Sequence, residues 1–269
     1  MLICRTCAVE HASAAQVCAI CADERQWVPA AGQQWTTLPE LRRAGHRTQV
    51  REVEPDLVGI RVQPVVGIGQ QALLVRTAAG TVLWDPTGYL DDDAVRRIRE
   101  LGEVVAIAAS HPHMFGVQVE WSRAFGGAPV LVAEADLRWV ARPDPAIRAW
   151  AGIQQVLPGV TLVQVGGHFP GSAVLHWADG AAGGGVMLTG DSIGVNPDRA
   201  SVTLMRSFPN RIPLSAGVVD RIAGTVAGYR FHRLYDNFGT CIDADAGSVV
   251  RKSADRYIAW VRGDFDHLT

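Results

Sequence analysis

The sequence has no apolar run long enough to cross a membrane. Its first residues, Met1-Leu2-Ile3-Cys4, lack a charged stretch followed by an apolar one, so the expectation is a cytoplasmic protein without a secretory leader. Charge is scarce: 19% of residues are Asp, Glu, Lys or Arg, and the formal net charge is -2. That balance supplies no basic field for nucleic acid, which leaves a small molecule as the expected partner. The glycine-rich stretch 181–185 is followed by neither Lys-Ser/Thr nor a helix start, so it is not a phosphate loop. No internal repeat is visible. What remains is a chain of 269 residues, 48% hydrophobic, with enough apolar material for one large core and a smaller unit beside it.

Cysteine is sparse as well. There are five, and four fall in two pairs, Cys4-x-x-Cys7 and Cys18-x-x-Cys21. Two such knuckles supply four thiolates for a tetrahedral structural zinc; iron or a redox dithiol are the alternatives, and disulfides suit a cytosolic chain poorly. Residues 1–30 are therefore expected to form a separate zinc-ribbon-like unit that draws most of its folding energy from the metal. His11, between the knuckles, is expected in a solvated loop. Residues 31–60 read as a linker arm. In it, Thr37-Leu38-Pro39-Glu40 opens a short helix, and Trp27 and Trp35 are expected to pack the N-terminal segment onto the body.

Residues 61–269 form the main domain. Strands over 72–77 and 81–85 flank the turn Ala78-Ala79-Gly80, and Asp91-Asp92-Asp93 opens a helix. Strands then alternate with helices, an α/β pattern. Three strand ends carry residues that can bind metal. The apolar run 104–109 leads into Ser110-His111-Pro112-His113-Met114-Phe115-Gly116. Strand 161–165 leads to His168, and strand 185–188 to Thr189-Gly190-Asp191. Three imidazoles and a carboxylate at strand ends are the donors of a catalytic metal site with an open position. The loop 205–213 is a candidate substrate wall, and Met114, Phe115, Met205 and Phe208 either line an apolar pocket or belong equally well to the core. A helix capped by Ser215 and an amphipathic C-terminal helix close the chain.

These motifs, in this order, resemble the metallo-β-lactamase-fold hydrolase superfamily. Its pattern is a strand-end Asp, then His-x-His-x-Asp-His, a later His, a later Asp and a last His. The resemblance implies an α/β (α+β) four-layer αββα sandwich and a catalytic metal held by His111, His113, His168 and Asp191. It places Asp85 at the first motif, where its carboxylate steadies the ligands from behind; a turn-capping Asp is the alternative.

The chain departs from that pattern at three places. Phe115 stands where the family usually has Asp, Gly116 where it usually has His, and 236–239 near the last His. Those residues mostly build a second metal site, so a reduced, mononuclear centre is expected, with Asp236 the best candidate for an extra ligand. The expected activity is hydrolysis of an ester, amide, thioester or lactone bond by a metal-activated water, with Asp191 as fourth ligand or general base. The alternatives are a non-catalytic binding protein and an iron-dependent redox member of the same fold. The donor set does not separate zinc from iron or manganese.

Overall fold

The computed structural model describes residues 1–269. Two sheets face each other. The larger has seven strands in the spatial order Ile147–Trp150, Val130–Ala133, Val104–Ala108, Gly80–Trp84, Ala72–Thr77, Leu57–Gln63 and Arg47–Glu54. The smaller has six, in the order Ile153–Leu157, Val160–Gln164, Ala173–Trp177, Val186–Leu188, Arg233–Tyr235 and Cys241–Ile242. Antiparallel pairing gives way to parallel pairing where a helix makes the crossover. Helix Asp92–Leu101 links the parallel strands Gly80–Trp84 and Val104–Ala108, and helix Ala216–Ala227 lies between Val186–Leu188 and Arg233–Tyr235.

The strands at the centre are buried on both faces, which is why they read as continuous apolar runs. Leu73 and Val75 point between the sheets and meet Leu162, Leu175 and Leu188 there. Leu74, with Leu83 and Ile107, points to the opposite face and packs under Ile98 and Trp121. On the far side, Val163, Val174 and Met187 pack under Ile222, Val226, Val250 and Ala254. The result is the four-layer αββα sandwich implied by the resemblance. Caps fix the helix starts: the Asp91 carboxylate accepts from Ala94 N at 2.9 Å, and Ser215 Oγ accepts from Val218 N at 3.4 Å.

Two expectations about domain limits are corrected. The stretch 31–60 is not all linker, because Arg47–Glu54 and Leu57–Gln63 pair as a hairpin and complete the seven-stranded sheet. Arg47–Glu54 is the edge strand and carries charged residues on an exposed face, so it lacks the apolar alternation that announces a strand. The helix Leu38–Arg43, capped by Thr37, does lie in the remaining arm.

The N-terminal segment is likewise no separate body. Leu2–Cys4, Glu10–His11 and Trp35–Thr36 form a small sheet. Cys4, Cys7, Cys18 and Cys21 are buried in the same cluster as Tyr89, Phe115, Val117 and Trp121 of the main domain. His11 is buried, not solvated: its Nε2 lies 3.4 Å from Cys18 Sγ and its ring packs edge-on to Trp35. Trp27 packs onto nothing comparable and is 49% exposed.

Candidate metal centre

Three chain turns meet at one end of the sandwich. Strand Val104–Ala108 ends at Ser110, and Pro112 opens a single tight turn, Pro112–Met114, whose preset φ aims His111 and His113 to the same side. His168 sits in the turn between Val160–Gln164 and Ala173–Trp177, and Asp191 in the turn Gly190–Ser192. The structure brings these four residues together, with one donor atom from each lying within 4.8 Å of the others. Asp191 Oδ2 is 3.2 Å from His111 Nε2 and 3.6 Å from His168 Nε2, and His168 Nε2 is 3.3 Å from His113 Nδ1.

His113, His168 and Asp191 are in the protonation states a metal requires. Burial, then the neighbouring His111, pulls His168 down to about 3, and the same two causes hold His113 well below the ordinary histidine range. Both rings are neutral at pH 7. Burial pushes the Asp191 carboxyl up, but the three imidazoles more than offset that and hold it below the ordinary carboxylate range. His111 Nε2 and His113 Nε2 are buried without a hydrogen-bond partner, since the approach of Asp191 to His111 is off hydrogen-bond geometry. An orphaned buried nitrogen costs about 1–3 kcal/mol. A metal at the centre of this N3O donor set would satisfy His111 Nε2.

Groups behind the ligands fix their orientation. Asp85 is fully buried and accepts from Ser110 N at 2.6 Å and Ser110 Oγ at 3.1 Å, and Ser110 Oγ in turn meets His111 Nδ1 at 2.8 Å. Asp85 thus acts on His111 through Ser110 and not by a direct bond. Ser110 was not singled out from the sequence, although its place immediately before the His-x-His motif was the available signal. Gly190, at φ +52°, lies so close that any Cβ would strike the Ser110 hydroxyl, so the Asp191 turn can approach only with glycine there. His168 is held at Nδ1 by Met205 O, 3.2 Å away. Its own carbonyl accepts from Arg25 Nε at 2.5 Å. Arg25 is buried, pairs with Asp23 and stacks over Phe169. A residue of the N-terminal segment therefore locks the turn that carries a ligand.

The positions at which this chain departs from the family pattern are taken up by packing and turn closure. Phe115 is buried in the outer core and Asn237 Nδ2 donates to Met114 Sδ, so of the two readings open for Met114 and Phe115 the structure has them as core. Met205 likewise does not line the cavity; Phe208 does. Asp236 is not among the four clustered donors: its Oδ1 accepts from Phe238 N and Thr240 N, both at 2.9 Å, and closes the 236–240 turn. Gly116 has φ +50°, and a Cβ there would run into Pro86 O and lie 2.6 Å from Thr87 O. Restoring the family's histidine by Gly116→His should therefore destabilise the protein by about 2–5 kcal/mol and gain no metal, read by thermal unfolding and metal content. A variant as stable as the parent with one more ion per chain would overturn this.

The cysteine cluster fits a metal too. Cys4 Sγ and Cys21 Sγ are 3.6 Å apart, and Cys7 Sγ and Cys18 Sγ 3.8 Å. A tetrahedron with zinc–sulfur bonds of about 2.3 Å has edges of about 3.75 Å, whereas a disulfide would need about 2.05 Å. Gln33 Nε2 donates to Cys4 Sγ at 3.2 Å, and His11 contacts Cys18 Sγ, so two of the sulfurs have a neighbour suited to thiolate charge.

The His/Asp centre forms the floor of a cavity of about 390 Å3, walled by Thr6, Gln26 and Trp27 of the N-terminal segment and by Phe208 and Pro209 of the 205–213 loop. A larger cavity of about 930 Å3 lies between helices Leu38–Arg43, Asp92–Leu101 and Gln118–Ala124, far from these donors, and its arginines are already engaged, as Arg42 with Asp92 and Arg123 with Glu120. The smaller cavity is the candidate site.

No family model matches the chain. It is 43% identical over 270 residues to the uncharacterized protein YmaE of Bacillus subtilis (strain 168), covering 98% of this chain and 98% of that one. Among solved structures, the DIM-1 metallo-β-lactamase superposes with a TM-score of 0.60 at 11% identity, over 78% of this chain and 97% of that chain. The metallo-β-lactamase SMB-1 in a complex with mercaptoacetic acid gives 0.52 at 17% identity, over 82% and 96%. At these identities the shared property is the fold. The chain belongs to the same family as YmaE, and that family has the metallo-β-lactamase fold.

Proposed function

We propose that the protein is a metal-dependent hydrolase with a mononuclear centre, acting on an ester, amide, thioester or lactone bond of a small molecule. The observation that carries this reading is the convergence of three imidazoles and a carboxylate on the floor of an open cavity. His111, His113 and His168 would hold the metal, with Asp191 beside them. Zinc held there would supply Lewis acidity, polarising the carbonyl and making water acidic near neutral pH; iron or manganese would suit the same donors. Asp191 keeps its charge, touches the cavity, and is the group placed to orient the attacking water and accept its proton. Asp236 is spent on its own turn and takes no proton. A thiolate cluster kept free of disulfides suits the cytoplasm.

The test is hydrolysis of p-nitrophenyl butyrate by the zinc-loaded protein. Asp191→Asn should lower turnover by roughly 100-fold or more, the usual contribution of a general base. Unchanged turnover in that variant would remove Asp191 from the mechanism. No metal-dependent turnover in the parent would favour a binding protein.

A further inference from the structure

Resting on the hydrolase reading, we infer that the site selects substrates whose arm is uncharged and aromatic or apolar, and that Trp27, delivered by the cysteine-bound N-terminal segment, is the specificity-determining residue. Two observations carry this. First, five apolar side chains stand in the wall of the cavity, beside the polar Thr6 and Gln26 and above a polar floor. Trp27 and Phe238 are 49% and 43% exposed, large faces left open to water beside Ile68, Val195 and Phe208. Open aromatic faces beside a catalytic floor are surface that a ligand arm covers with gain.

Second, no lysine or arginine lines the cavity, whereas two carboxylates, Asp191 and Asp236, do. Three of the guanidinium groups nearby are committed elsewhere, while Arg5 lies in the adjoining depression that shares Thr6, Trp27 and Gly67 and is not among the residues lining the cavity. Arg25 pairs with Asp23 and holds His168 O, Arg206 pairs with Glu24, and Arg61 binds Gln71 and Phe238 O. A metal would meet the reacting end of the substrate, but none of the residues lining the cavity would neutralise a carboxylate or phosphate on its other end. An anionic arm would lose its hydration there without a partner. The segment 26–27 that forms this wall is pinned from beneath: Asn210 Nδ2 donates to Gln26 O at 2.9 Å, and Ser207 Oγ donates to Arg25 O at 3.0 Å. The backbone leading into Trp27 is therefore joined to the 205–213 loop.

Three hydroxamates with one common metal-binding head separate the terms: acetohydroxamate, benzohydroxamate and 4-carboxybenzohydroxamate. Their dissociation constants are measured by calorimetry on the zinc-loaded full chain. Benzohydroxamate should bind about 10-fold tighter than each of the other two, the scale set by burying one ring face. Trp27→Ala should erase its advantage over acetohydroxamate, Trp27→Phe should restore it, and Trp27→Arg should reverse the order of the neutral and carboxylated rings. Equal or tighter binding of the carboxylated ring by the parent, or an unchanged benzohydroxamate advantage in Trp27→Ala, would overturn the inference. If the ranking holds but p-nitrophenyl butyrate is not turned over, the hydrolase reading alone fails. If acetohydroxamate binds and no ranking follows, this inference alone fails. No binding of any of the three overturns both.

Discussion

Alanine at His113 or at His168 should empty the His/Asp centre while the cysteine cluster keeps its own ion. The parent should hold about two ions per chain and each variant about one, read by elemental analysis after exhaustive dialysis. The expectation follows from geometry. His113 and His168 face each other at 3.3 Å over one carboxylate, and the remaining donors, His111 and Asp191, make a two-point site. Two donors from a rigid pocket do not retain zinc against dialysis, and turnover should fall with the ion by about 1000-fold or more. Each side chain is buried, so alanine also leaves a cavity, and thermal unfolding should accompany the measurement. Two ions retained in both folded variants would overturn the assignment.

Serine at Cys4 or at Cys18 should do more than loosen residues 1–30. The cluster's four sulfurs are buried within the main outer core, under Tyr89 and beside Phe115 and Val117. The segment they fix carries Arg25, whose guanidinium holds the His168 turn, and Glu10, whose carboxylate accepts from Val119 N at 2.6 Å and pairs with Arg142. Loss of a structural metal removes free energy on the order of several kcal/mol, a large share of the stability of one domain. We expect a Tm lowered by roughly 10 °C or more and weaker metal binding at the distant His/Asp centre. Deletion of residues 1–30 should leave an aggregating chain, because it uncovers a core face. A truncated protein that stays folded, with its Tm within a few degrees and its catalytic metal retained, would show that the segment is separable after all.

The metal donors were legible because each follows an apolar run and sits in a short turn, so strand order alone carried His111, His168 and Asp191 to one edge. The paired knuckles were legible from spacing. Their surroundings were not. Arg25 meets His168 across 143 positions of sequence, and nothing local in Asp23-Glu24-Arg25-Gln26 marks it as other than a polar connector. Trp27 read as packing because exposed tryptophan is unusual, and only the fold shows the cavity it borders. The edge strand 47–54 was missed because an edge strand needs one dry face at most, whereas Leu57–Gln63 is an inner, largely buried strand whose apolar residues were the available signal. Asp85 read as a group behind the ligands, but the intervening Ser110 came only with coordinates.

The tight packing around Gly116 limits what can replace it. Its carbonyl accepts from Glu10 N at 2.9 Å, and the Pro86–Gly88 turn that blocks a side chain at 116 is itself pressed by Ala8, the residue after Cys7. Backbone from three distant stretches is thus stacked where a side chain at 116 would need to stand. A chain with the cysteine knuckle in this position does not accommodate a histidine at 116 by that one substitution. The knuckle would first have to move off the 86–88 turn, and with it the cluster and the wall it supports. The two donor clusters of this chain are joined by that constraint: the N-terminal one takes up the room that a larger side chain at 116 would need.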